Sequence, residues 1–184
     1  MSSSTGEKLT SQNWAGHWHG FGAWIGSGDT YRQEGRRRPG EGPGDPQTRT
    51  FLEEKLPPMI TGQWLMRRTQ VAGTWTEVED ALAWLQERYT QAPPMVREDG
   101  KAAYSPLDWK LECALDALPR GVDITWAYWT QSRMLASYSV VACPNLFQQH
   151  LPCPTGEAAR PLPANVTSLD SRRRGNVPST LAPA

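Results

Sequence analysis

Cysteine and histidine are scarce in this chain, at three residues each, and that scarcity already excludes a good deal. An odd cysteine count (Cys113, Cys143 and Cys153) does not make a disulfide framework and suits a reducing compartment. Long apolar runs are missing as well. No stretch approaches the ~20 apolar residues of a membrane span, and the residues from Met1 to Lys8 lack the apolar region of a secretory leader. The expected setting is therefore cytoplasmic, with no membrane role. An excess of either charge sign is also absent: 19 basic side chains balance 19 acidic ones, for a net charge of 0. No global field draws in nucleic acid or an anionic surface, so such binding would have to be local. Reaction signatures are lacking too, since there is no G-x-S-x-G, no H-E-x-x-H, no cysteine-protease pattern and no phosphate-binding glycine loop. No catalytic residue and no cofactor is assigned from the sequence.

What the chain does have is tryptophan, nine residues of it, with 16 glycines and 16 prolines. Trp14, His17, Trp18, His19, Phe21 and Trp24 crowd between Asn13 and Ile25, separated by Gly16, Gly20 and Gly22. Each glycine costs a helix ~1 kcal/mol against alanine, so this segment is not helical. Its large rings need a cover, because apolar area of that size is seldom left in water.

Composition divides the chain into three parts. Residues 1–57 join a polar start and the Trp/His/Gly segment to a Gly/Pro/Arg-rich stretch with too little apolar area to offset its ordering entropy, expected to be a linker or long loop. Residues 58–145 read as the folded core. Residues 146–184 are proline-rich and are expected to be a disordered tail.

Within the core, Met59 to Thr69 is expected to be a strand, with Ile60, Trp64 and Met66 on one side, although Gly62 and Leu65 weaken the alternation. Thr76 and Glu79 form a capping-box pattern before a helix expected from Glu77 to about Thr90, whose inner face is Val78, Ala81, Leu82, Leu85 and Tyr89. A second helix is marked by Ser105 as N-cap, Pro106 at its first position and Pro119 with Gly121 at its end, with Leu107, Leu111, Ala114, Leu115 and Leu118 facing inward. Trp109 and Cys113 fall on its other side. Val122 to Thr130 and Met134 to Cys143 then read as a hairpin. A three-residue loop sets Trp126 opposite Tyr138 and Ile124 opposite Val140, and gathers the apolar side chains on one face, which a two-residue loop would scatter.

The expected fold class is thus α+β, a small antiparallel sheet of three or more strands in β-α-α-β-β order, with two helices packed on one face and disordered N- and C-terminal segments. The tryptophan-rich segment is a candidate to lie on the hairpin's other face, as an added edge strand.

Two constellations bear on chemistry. Cys143, His150 and Cys153 lie within eleven residues, and His17 with His19 would add nitrogen ligands, but the spacing matches none of the usual close pairs, so no metal site is assigned. His17 and His19 share a face in an extended chain, where they suit acid–base work in an enzyme alternative. The reading favoured by composition is a non-catalytic binding or accessory protein that recognises another macromolecule, expected to be a protein, through tryptophan-rich surface. Its contact residues are Trp14, Trp18, Trp24, Trp109 and Trp129, with Arg67 and Arg68 as polar partners. The alternative is a nucleic-acid-binding protein using the arginine clusters Arg36–Arg38, Arg67–Arg68 and Arg172–Arg174 with aromatics, with a Cys/His zinc site as an optional part.

Overall fold

The computed structural model describes residues 10–12, 14–99 and 105–156. Four antiparallel strands, β1 (His17–Gly26), β2 (Val71–Trp75), β3 (Ile124–Trp129) and β4 (Leu135–Cys143), form a sheet in the spatial order β2-β1-β4-β3. Helices α1 (Gly28–Tyr31) and α2 (Pro46–Glu53) follow β1, while α3 (Val78–Gln91) and α4 (Leu107–Ala117) connect β2 to β3. The fold is a mixed α+β one. The expected β-α-α-β-β order is met only roughly, as β2-α3-α4-β3-β4 preceded by β1, α1 and α2, and its first strand is Val71–Trp75 rather than the expected Met59 to Thr69.

The hairpin shows why this sheet forms. Trp126 pairs with Tyr138, Ile124 with Val140 and Tyr128 with Ala136, the register in which the apolar rows of both strands share a face. Thr130 and Met134 close the three-residue loop, with the Thr130 amide donating to the Met134 carbonyl at 2.8 Å. On that face Trp126, Tyr128, Tyr138 and Val140 pack with Ala81, Leu85 and Tyr89 of α3 and with Ala114 and Leu118 at the end of α4. Leu107 and Leu111 also pack there, whereas Leu115 stands 48% exposed, outside the inner face expected for α4. Neither expected cap forms. Glu77 and Pro106 occupy the N-cap positions of α3 and α4, and neither makes a side-chain cap bond.

The tryptophan-rich segment is not an added edge. It is β1, hydrogen-bonded to β2 on one side and to β4 on the other, and its residues from His17 to Phe21 are buried. Trp18 points to the helix side, where its indole Nε1 donates to the Leu118 carbonyl at 3.1 Å. Trp14 packs beside it, ring centroids 5.4 Å apart, and covers Gly121 so closely that a Cβ there would lie 2.5 Å from the indole. Gly121 also adopts φ 73° as the cap of the 3-10 turn Leu118–Arg120 that follows α4, so this position requires glycine twice over.

The opposite face of the sheet is covered by residues expected to be a strand. Thr61–Met66 and Arg68–Gln70 are instead 3-10 turns. Trp64 and Leu65 are adjacent and both buried in the cluster that includes Phe21 and Val141. Neighbouring side chains of a strand point to opposite faces, so a turn is what puts both inside. Trp64 stacks on Phe21 with centroids 5.2 Å apart.

The stretch expected to be a linker is ordered too. Asp45 caps α2 with Pro46 in its first turn, and α2 buries Phe51. Two arginines take the place of missing aliphatic residues: Arg37 lies 3.9 Å over the Tyr31 ring, and buried Arg67 lies 4.1 Å over Phe51 and donates to the Leu56 carbonyl. Flat guanidinium faces pack like apolar surface while their edges donate. The packing thus runs across the 57/58 and 145/146 boundaries read from composition; residues 1–9 and 157–184 lie outside the described residues.

The two classes of tryptophan are separable by stability. Trp18→Ala should destabilise the chain by roughly 3–5 kcal/mol, the range for emptying a large core site, and Trp109→Ala by under about 0.5 kcal/mol, as Trp109 is 55% exposed. Urea unfolding monitored by circular dichroism measures both; equal losses would contradict the placement.

Candidate metal centre

The sheet's period of two brings scattered residues to one point. His17 and His19 lie on the same face of β1, the one that also carries Phe21. Cys143 is the direct cross-strand partner of His17, and Val141 that of His19. Cys153 completes the group from the loop that follows β4. The donor atoms of His17, His19, Cys143 and Cys153 all lie within 4.8 Å of one another.

The individual distances have the dimensions of a coordination shell. The two Nε2 atoms are 3.0 Å apart, and Cys153 Sγ lies 3.5 Å from each of them. A tetrahedral zinc ion with bonds of ~2.0–2.1 Å to nitrogen and ~2.3 Å to sulfur sets N···N at about 3.3 Å, N···S at about 3.6 Å and S···S at about 3.8 Å. The three edges among His17, His19 and Cys153 match to within a few tenths of an ångström, and Cys143 Sγ lies within 4.8 Å of all three. A single Nε2–H shared along the 3.0 Å line between the two rings also pairs the imidazoles with each other.

Its surroundings orient the ligands. Thr74, opposite His19 on β2, has its Oγ1 2.8 Å from His19 Nδ1. An Nδ1–H donated to that oxygen leaves the Nε2 lone pair aimed at the centre. The cluster of Phe21, Trp64, Leu65, Val71, Val141 and Leu151 borders the site. His19 is 0% exposed, His17 5% and Cys143 3%, while Cys153 is half-buried. Gly16 lets the chain enter β1 against Cys143, since a Cβ there would lie 2.2 Å from the Cys143 carbonyl oxygen. Burial, then the neighbouring His17, lowers the pKa of His19 to about 4, which keeps its ring neutral. Burial, with Cys153 adding to it, raises the Cys143 thiol to about 12; a metal ion would reverse this by binding the thiolate.

The loop carrying Cys153 is itself held. Asn145 Oδ1 accepts the amides of Phe147 and Gln148, and its Nδ2 donates to both oxygens of Asp123 at 2.9 Å. Asp123 also accepts the Ala142 amide. Trp14 adds an indole bond of 2.7 Å to the Pro144 carbonyl.

The residues expected to contact a partner are spread over the fold. Trp14 and Trp18 are core side chains on the helix face, and Arg67 is buried on the opposite one, 4.9 Å from the Trp64 ring. These three are therefore not surface contacts; the rings of Trp14 and Trp18 find their cover in the chain's own helix-side core. Trp24, 5.6 Å from Tyr31, and Trp129, against Gly28, are half-buried. Only Trp109 and Arg68 are exposed. His150 is exposed and takes no part in the metal set. Thr74 is the site residue that the sequence did not flag, because a strand threonine carries no signal until its cross-strand neighbour is known.

Two measurements probe this arrangement. Thr74→Val should weaken zinc binding by roughly 10–100-fold, the usual effect of losing a ligand's outer partner, as read by competition with a chromogenic chelator; unchanged affinity would contradict the orienting role. Burial raises Asp123 from the ordinary 3.8 to about 6, against the opposing bonds from Ala142 and Asn145. Because the folded value lies above the unfolded one, its contribution to stability is present below about 4 and is lost as pH rises through about 6. The stability of wild type relative to Asp123→Asn should therefore fall between these pH values; a flat difference would refute it. Comparison with known proteins finds no match: no family model, no curated protein and no solved structure corresponds to this chain.

Proposed function

We propose that this protein is a small non-catalytic binding domain whose fold is clamped by a structural Cys2His2 zinc centre at His17, His19, Cys143 and Cys153. The convergence of four donor atoms from three separate segments carries the reading. Two thiolates and two imidazoles suit zinc, whereas magnesium, calcium and manganese prefer oxygen ligands. A full protein set of four leaves no coordination position for water or substrate, which is the mark of a structural site. A shallow depression on α3, lined by Ala83, Gln86, Glu87, Thr90 and Gln91, includes none of the four.

The clamp would tie the start of β1, the end of β4 and the following loop, so metal binding free energy becomes folding free energy. What the domain recognises is a macromolecule, in a cytoplasmic setting suited to its free cysteines; Trp109 and Arg68 remain exposed for contact. The nucleic-acid reading gains from the Cys/His set but not from its first arginine triplet. Arg36 and Arg38 pair with Glu54 and Glu34, and Arg37 is buried. Arg172–Arg174 lie outside the described residues.

Protein purified under reducing conditions and supplied with zinc should carry one ion per chain by elemental analysis. Removing it with a strong chelator should lower the melting temperature by on the order of 10 °C. Substoichiometric metal together with a chelator-insensitive melt would refute the zinc centre.

A further inference from the structure

We infer that the metal centre is also a thiol switch, in which a peroxide-class oxidant joins Cys143 and Cys153 as a disulfide and expels the zinc ion; this rests on the zinc reading above. The juxtaposition that carries it is of two sulfurs with opposite surroundings at one point. Cys143 ends a central strand, is 3% exposed and is paired across the sheet with His17. Cys153 sits on irregular chain beyond β4, half-buried, within 3.2 Å of the Thr155 hydroxyl, and Thr155 itself is exposed. An oxidant arriving from solvent therefore meets Cys153 first, and the resolving sulfur is already within 4.8 Å. A disulfide bond is about 2.05 Å long, so the sulfurs must close by a few ångströms. The loop can supply that movement because no strand ladder holds residue 153.

The step balances. The Cys153 thiolate attacks one peroxide oxygen, the O–O bond breaks, and a sulfenic acid and hydroxide result. The Cys143 thiolate then attacks the Cys153 sulfur; the S–S bond forms, the S–O bond breaks, and a second hydroxide leaves. Two protons from solvent convert both hydroxides to water. Peroxide gains two electrons and each thiolate loses one. Zinc, left with only the His17 and His19 nitrogens, departs as the divalent ion. The remaining cysteine, Cys113, lies on α4, which packs on the other face of the sheet, so it is not the resolving thiol.

The test uses the full chain, reduced and supplied with zinc, in wild-type, Cys113→Ser and Cys153→Ser forms. Zinc content is measured first, and hydrogen peroxide is then added with a chromogenic zinc chelator present and the products are mapped by peptide mass spectrometry. The expected result is one zinc released per chain, a Cys143–Cys153 peptide pair lighter by two hydrogens, the same behaviour in Cys113→Ser, and rebinding after treatment with dithiothreitol and zinc. Cys153→Ser should form no such pair. A loaded wild-type protein that keeps its zinc, or loses it only with sulfinic or sulfonic acids or a disulfide to Cys113, would overturn the switch while leaving the zinc centre intact. Absence of bound zinc before peroxide would overturn both.

Discussion

The pairing of β1 with β4 is the constraint on which the rest of this structure depends. Once His17 stands opposite Cys143 and His19 opposite Val141, every alternate side chain of both strands is assigned to a face. The helix face receives Trp18, Tyr138 and Val140, and the other receives His17, His19, Phe21 and Cys143. A slip of one residue would send the imidazoles into the tyrosine-rich core and Trp18 toward the loop. One register thus defines both the hydrophobic core and the metal set.

Burying two imidazoles and a thiol beside a hydrophobic cluster is costly unless each polar group has a partner. Here the partners are mutual. The Nε2 atoms face each other and Cys153, and Thr74 holds the far side of His19. In the proposed zinc centre, a divalent cation bound by thiolate and neutral imidazole would replace these hydrogen bonds. The loop beyond β4 is the least regular part of this shell, yet Asn145, Asp123 and Trp14 tie it to the sheet. A sealed strand facing a tethered and half-exposed loop gives the two sulfurs different surroundings.

Much of the α+β frame was legible because its signals are local. The hairpin register followed from the apolar rows of residues 122–142, and α3 and α4 from their helical periodicity, each to within a residue or two of Val78–Gln91 and Leu107–Ala117. Misreadings came where packing is made by unusual means. Residues 26–58 looked too polar to order, but Arg37 and Arg67 use guanidinium faces against Tyr31 and Phe51. Trp64 and Leu65 were split between two faces of an expected strand, whereas a 3-10 turn buries both.

By itself the sequence determined that His17 and His19 share a face, that the cysteines are too few for a disulfide framework, and that a helix pair covers one side of an antiparallel sheet. Tertiary structure decided the rest: that the tryptophan-rich segment is a central strand rather than a surface, that Cys143 meets His17, and that Cys153 rather than His150 joins the Cys/His cluster. The physical reason is separation along the chain. Periodicity reports the side a residue faces within its own element, but residues 17 and 143 become neighbours only through strand pairing that no local pattern records.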